Sequence, residues 1–332
     1  MQPPSPSVPL VFFLDVPALE LEAWRALRPD REPQRLVLGE HYWIVLTCAR
    51  LRAAGMPVQL DNRLPDAGVV VFYAGDKRAV WRQQRAGRSR ALLVAVRSDR
   101  SPVGLADVEI VQNAASADGH RSLHVPHWPQ PGLVPRDPAR GTTLATVLYP
   151  GTPRNLHPGF LATDWTAFLQ ERGLAFRCHF QEGSAPPYQD FRDVDLMLAV
   201  RPAATAPVGN KPAWKLFNAW LAGVPALLGP ESAYRELRQS RLDYLEIETP
   251  EQAMAAIDRL LGQPSLYRAM VDHGLARGQA FSTGSTVSRW RRLIEDELVP
   301  RAQAQALQPV QLWRRGVRDA RARLRRVLHG TA

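Results

Sequence analysis

Lysine is nearly absent from this chain of 332 residues: Lys77, Lys211 and Lys215 stand against 39 arginines. Cysteine is scarcer still. Cys48 and Cys178 lie far apart, each inside an apolar helix or strand pattern, which excludes a disulfide framework and a thiolate zinc site. They read as buried free thiols in a reducing compartment. No run approaches the roughly 18 apolar residues of a membrane-spanning helix. The opening MQPPSPSVPLVFFLDV lacks a basic segment and its apolar run stops at Asp15, so no secretory signal is expected and a cytoplasmic location follows.

What is present is arginine, and its distribution matters more than its sum. The net charge is +10. Residues 301–332 hold eight arginines (301, 314, 315, 318, 321, 323, 325 and 326) against the single acid Asp319. That segment carries +7 and leaves only +3 for the rest, so the charge belongs to a tail. A nucleic-acid-binding body is not expected.

The chain is long enough for two α/β domains. Short apolar runs at 9–16, 58–60, 69–73, 91–96 and 108–112 alternate with helical patterns, notably GEHYWIVLTCARLRAAG over 39–55. Such alternation predicts a doubly wound domain with a parallel sheet over residues 1–125. Five prolines between His124 and Gly141 cannot sit inside strands or helices, so 126–141 reads as a linker. The pattern restarts with strands at 143–149, 176–180, 194–200, 226–228 and 245–248, giving a second domain over 142–284. Thr249, Pro250 and Gln252 predict a capped helix start. Helices are expected at 158–172, 211–222, 264–278 and 285–298.

The two neighbouring lysines fall in GNKPAWKLFNAWLAGVPALLGPESAYRE (209–236). As a helix over 211–222, Leu216, Phe217 and Trp220 face the core, while Lys211, Lys215 and Asn218 share the other side with small alanines. Gly209 and Asn210 would leave free N–H groups at its start, where anions bind. A phosphate or diphosphate is the ligand this face suits. Gly223 and Pro225 end the helix. The loop from Gly229 through Glu231 to Ser232, a candidate N-cap, opens at a strand's carboxyl end, the usual ligand edge.

The order Lys-Leu-Phe-x-Ala-x-x-Ala-Gly-Val-Pro-Ala (215–226), followed by a Gly-x-Glu loop, resembles the donor half of the group 1 glycosyltransferases of the GT-B fold. Gly39-Glu40-His41-Tyr42 is similar to that fold's acceptor-side loop. The resemblance implies two Rossmann-like domains facing a central cleft, and a crossover helix within 285–306. It implies transfer from a nucleotide-diphosphate sugar to a glycan or lipid-linked acceptor in envelope or polysaccharide synthesis, with no cofactor and no metal. Retaining members carry two glutamates where this chain has Asn210 and Asn218. That departure keeps a non-catalytic binding protein of the same fold as the alternative.

For chemistry, His41 at a helix start is the first candidate base, with Asp15 at the end of the first strand and Glu40 beside it. His127 in the proline-rich stretch is a weaker candidate. Lys211, Lys215 and Gly151 would hold the diphosphate, Glu231 and Ser232 the sugar or ribose, and Arg97 an anion. Asp193-Val194-Asp195 reads as the polar start of a strand. Residues 307–332 predict a basic amphipathic helix with Trp313, Val317, Ala320, Leu324, Val327 and Leu328 in one stripe, suited to an anionic membrane surface or to its own protein.

Overall fold

The apolar runs of the first half become strands. In the computed structural model, which describes residues 8–87, 89–178, 189–202, 210–306, 315–318 and 320, they are β1 (Leu10–Phe13), α1 (Ala18–Arg25), a π-helical turn (His41–Leu46) running into α2 (Thr47–Ala53), β2 (Gln59–Asp61), β3 (Val69–Tyr73), α3 (Lys77–Gly87), β4 (Leu92–Val96), β5 (Val108–Val111) and β6 (Ser122–His124). They form an all-parallel sheet in the order β2-β1-β3-β4-β5-β6. β1, β3, β4 and β5 are buried at every position. Burial on both faces is why they read as continuous apolar runs without alternation. From β1 the chain builds outward to β2 on one side and β3 on the other, so the switch point lies between β1 and β3.

The second half gives β7 (Thr146–Tyr149), α4 (Thr163–Glu171), β8 (Ala175–Cys178), β9 (Leu196–Ala199), α5 (Trp214–Ala222), β10 (Ala226–Leu228), α6 (Ser232–Leu237), β11 (Leu245–Glu246), α7 (Pro250–Gly262) and α8 (Pro264–Gly278). Its parallel sheet runs β11-β10-β9-β7-β8, which places its switch point between β7 and β9. Thr249 caps α7 by accepting from the Gln252 N–H, while Gln252 Oε1 accepts from the Glu248 N–H at 2.6 Å, one residue earlier than a standard capping box.

By internal contacts the chain forms two units: Met1–Pro29, Leu36–Pro126 and Thr286–Ala332, and then Asp30–Arg35 with His127–Ser285. α9 (Thr283–Arg292) passes through a second π-turn (Leu293–Leu298) into α10 (Val299–Ala306). Trp290 of α9 is fully buried, 6.1 Å from Phe12 of β1. Thus the late helix serves the first unit's core.

Three expectations need correcting. The proline-rich stretch is not a free linker: Trp128 is buried, Val134 bridges to Asp190, and the Arg136 N–H donates to Ala222 O at 2.9 Å. Inside it, Arg136 and Arg140 both grip Asp195, which also accepts from the Ala145 and Thr146 N–H groups. Burial alone would raise the Asp195 carboxyl, but these donors more than offset it and hold it below its usual value. Asp195 is therefore a buried anchor, while its neighbour Asp193 pairs with Arg177.

The helix expected from Lys211 begins at Trp214, with Ala213 as its N-cap. Lys211 precedes Pro212, whose ring disfavours helical geometry in the residue before it. Gly209 lies outside the described residues. Ser232 is the first residue of α6, and its N-cap is Glu231. As expected, Gly223 ends α5 in the left-handed conformation, φ 70°. Both cysteines are free, Cys48 buried as expected and Cys178 only partly so.

The tail is the third. Arg315 and Arg318, in a short helical stretch, both bind Asp107. The described part of the tail thus docks through arginines, while Val317 of the expected apolar stripe is exposed.

Candidate functional site

The carboxyl edge of the second sheet collects cations around one buried ammonium. Tyr149 ends β7, Arg201 follows β9 and Glu231 follows β10, so three strand ends on one edge converge. Lys215, in the first turn of α5, is only 7% exposed. Its Nζ lies 5.0 Å from the centre of the Tyr149 ring and 5.9 Å from that of Trp214. Among the described residues it forms no hydrogen bond or ion pair. Burial, with the Arg201 charge second and Lys211 adding to it against Glu231, pulls its ammonium from 10.5 down to about 8. Among the described residues its close contacts are ring faces, and the one acid whose charge reaches it, Glu231, is paired with Arg201.

Around it the other groups are fixed. Arg201 Nε donates to Glu231 Oε1 at 3.1 Å, and Glu231 is itself buried. A Cβ on Gly151 would fall 2.6 Å from the Tyr149 ring. The room that Gly151 leaves is therefore taken by the ring beneath Lys215. Asn218 does not share an open face with Lys215: it is fully buried and its Oδ1 accepts from the Gln130 N–H at 3.0 Å. The proline-rich stretch covers the side of α5 that helical periodicity left open. Lys211 lies before the helix and half-buried.

The carboxyl edge of the first sheet collects acids. Asp15 follows β1, Glu40 precedes the first π-turn and Asp76 follows β3, so Asp15 and Asp76 flank that sheet's switch point. Asp76 Oδ2 is buried and without a hydrogen-bond partner among the described residues. Burial first, then the Glu40 and Asp15 charges, push its carboxyl from 3.8 to about 7, with Arg100 opposing. Arg100 donates to the Tyr73 hydroxyl at 3.2 Å and lies over that ring. Asp15 itself is exposed, 3.9 Å from Arg82.

His41 and Arg97 have other tasks. The His41 Nδ1 accepts from the Val37 and Leu38 N–H groups, both at 3.2 Å, and its ring packs on Trp24 at 4.5 Å. Arg97 turns to the buried Glu109 at 3.5 Å, so it is not presented as an anion contact. Sequence reasoning missed Arg201 and Asp76. Each follows an apolar strand run almost directly, LMLAV-Arg201 and VVVFYAG-Asp76, the same signal that singled out Asp15.

No family model matches the sequence, and no curated protein matches it. Solved structures do. Sucrose-phosphate synthase (tll1590) from Thermosynechococcus elongatus aligns with a TM-score of 0.54 at 12% identity, over 78% of this chain and 94% of that one. Anabaena Alr3699/HepE in complex with UDP gives 0.52 at 14% identity, over 86% and 99%. A HepE complex with UDP and glucose gives 0.52 at 13%. The chain has the GT-B glycosyltransferase fold.

Proposed function

We propose that this protein is a glycosyltransferase that moves a sugar from a nucleoside-diphosphate sugar to an acceptor hydroxyl. The observation that carries the reading is Lys215, a buried ammonium with no ion pair among the described residues, beside Arg201 at the second sheet's switch point. A diphosphate would supply the missing charge, and open parallel sheets bind such ligands at this edge. HepE, of the same fold, holds UDP and glucose in its solved complexes.

In the reaction the acceptor oxygen bonds to the anomeric carbon as the bond from that carbon to the diphosphate oxygen breaks. The electron pair leaves on the diphosphate, where Lys215, Lys211 and Arg201 balance it. The acceptor proton must leave to a base as the new bond forms. Within the first unit Asp76, pushed up to about 7, has the pKa that a base needs, whereas the His41 Nδ1 is already committed to the 37–38 backbone.

The test is thermal stability against UDP, GDP, ADP, CMP and their sugar conjugates. One diphosphate at about a hundred times its Kd should stabilise the wild type by about 2.7 kcal/mol, and Lys215→Met should cut that to about 0.4 kcal/mol. A well-folded wild type indifferent to the whole panel sinks the proposal. The complete burial of Asn218, where retaining enzymes carry a glutamate, favours a second reading as a non-catalytic binder. Slow release of free sugar from the stabilising nucleotide sugar separates the two, since a pure binder releases none.

A further inference from the structure

A pinned loop of the first unit presents an unused guanidinium. Residues 97–100 follow β4 in a tight turn, closed by the Arg100 N–H donating to Arg97 O at 2.9 Å. Ser98 inside it has φ 52°, the one non-glycine residue with a left-handed backbone among the described residues. Such a backbone persists where its surroundings over-determine it. Here they do. The buried Glu109 of β5 holds Arg97 at 3.5 Å and accepts from the Val103 N–H at 2.6 Å, while Arg97 Nε donates to Arg100 O at 3.4 Å.

The turn lays the exposed Arg100 across Tyr73, the last residue of β3. Its Nε donates to the Tyr73 hydroxyl at 3.2 Å, and its guanidinium carbon lies 5.3 Å from the ring centre. Tyr73 is buried, and two glycines seat it. A Cβ at Gly39 would collide with the hydroxyl, and one at Gly75 would come within 3.0 Å of the ring. Among the described residues three capacities for hydrogen bonding stay open. Both Nη groups of Arg100 lack a partner, the Tyr73 hydroxyl proton lacks an acceptor, and the buried Asp76 Oδ2 lacks a donor. The Arg100 charge reaches Asp76, yet the two form no ion pair. A gap therefore separates a fixed donor fork from a buried acceptor at the carboxyl edge of β3 and β4.

We infer that the gap between Arg100, Tyr73 and Asp76 binds the acceptor and selects an uncharged sugar, one hydroxyl donating to Asp76 while a neighbouring oxygen accepts from Arg100 and Tyr73. This rests on the transferase reading above and names the class of its acceptor. A hydroxyl both gives and accepts a hydrogen bond, so a vicinal pair satisfies a carboxylate and a guanidinium together. An ionised carboxylate or phosphate has no proton to give Asp76, and it would meet the charges of Asp15 and Glu40 at the same place. An ammonium would be opposed by Arg100. An apolar group would leave all three capacities unmet.

The experiment uses the full chain and whichever nucleotide sugar raises its melting midpoint. Initial rates are measured with methyl glucoside, methyl mannoside and methyl N-acetylglucosaminide, and with glucuronate and phosphorylated glucose. Transfer should go to a neutral glycoside. Arg100→Gln should raise the KM for that acceptor by about tenfold or more, while the thermal shift from nucleotide stays as in the wild type. Arg100→Lys keeps the charge without the fork and should behave like the glutamine variant. Tyr73→Phe removes one oxygen and should raise the KM severalfold, so it carries the test should an Arg100 variant misfold. A wild-type KM in Arg100→Gln, in Arg100→Lys or in Tyr73→Phe overturns the inference. So does transfer only to glucuronate or phosphorylated glucose, or to none of these sugars. Each of those outcomes leaves nucleotide binding standing. A well-folded protein that no nucleotide stabilises sinks the transferase reading, and this inference with it.

Discussion

At the switch point between β7 and β9 the second sheet gathers Lys215, Lys211 and Arg201 around one glutamate, whereas at that between β1 and β3 the first sheet gathers Asp15, Glu40 and Asp76 beside Arg100 and Arg82. The topology is the same and the sign is opposite. Both places hold a titratable group displaced toward neutrality by burial: Lys215 down to about 8 and Asp76 up to about 7. Elsewhere in the second unit two buried carboxylates are satisfied. Asp195 has two arginines and two backbone donors, and Asp243 has His273, Arg277 and two N–H groups. The fold can thus pair a buried charge fully, and at the two switch points it does not. If these edges bind ligand, as proposed, that incompleteness rather than charge as such is what marks them.

The largest effect that would test this contrast is on turnover. Asp76→Asn keeps the volume and removes the ionisable group, so if the first edge supplies the base, transfer should fall by about 10²–10⁴ while the thermal shift from nucleotide stays as in the wild type. Equal turnover in the variant would strip the first edge of its catalytic role. Lys215→Met comes next. Nucleotide affinity should drop by about a hundredfold, consistent with loss of a charge-assisted contact of about 3 kcal/mol. The nucleotide-free variant should be as stable as the wild type or more so by about 1–3 kcal/mol, because a buried unpaired ion is replaced by an apolar chain. Loss of stability in the absence of ligand would mean the ammonium is structurally satisfied and the second edge is not special.

Much of the architecture was legible because parallel strands buried on both faces announce themselves as short apolar runs, and ten-odd such runs alternate with helical periodicity. The GT-B likeness rested chiefly on residues 215–226 with the Gly-x-Glu loop and Gly39–Tyr42, and 215–226 form α5 after its first residue, its glycine stop and the start of β10. Less legible was which side of α5 stays open. Helical periodicity places Lys215 and Asn218 opposite the core, but it cannot register that Gln130, 88 positions earlier, donates to Asn218. Proline density misled in the same way: prolines exclude regular elements, and an irregular segment can still pack, as Trp128 and Arg136 do. Asp76 escaped notice because its value as a base comes from burial and from Glu40 and Asp15, which meet only in the fold.

The two shifted groups also predict opposite pH behaviour. Folding lowers Lys215 from 10.5 to about 8, so between those values the unfolded chain binds the extra proton and this residue's contribution to stability rises with pH. Folding raises Asp76 from 3.8 to about 7, so there the folded chain binds it, and that contribution falls as pH rises through the window. Melting midpoints of each variant, subtracted from wild type across pH 4–10, should therefore slope in opposite directions, by about a kcal/mol or more each. Nucleotide affinity should decline as pH climbs past about 8, and turnover should rise through about 7. Parallel slopes would contradict the assignment of a cationic and an anionic edge.

The smallest effect separates the two candidate bases of the first unit. His41 accepts two backbone N–H groups through Nδ1 and packs on Trp24, a structural task for a side chain close to Glu40. His41→Asn offers an oxygen to the same donors and His41→Ala offers none. The alanine variant should lose about 1 kcal/mol of stability, measured by urea unfolding, and the asparagine variant about half of that. In both, the rise of activity near neutral pH should persist, because it belongs to Asp76. If that inflection instead vanishes with His41 while Asp76→Asn retains it, the imidazole is the base, and the acidic edge acts only by setting its charge.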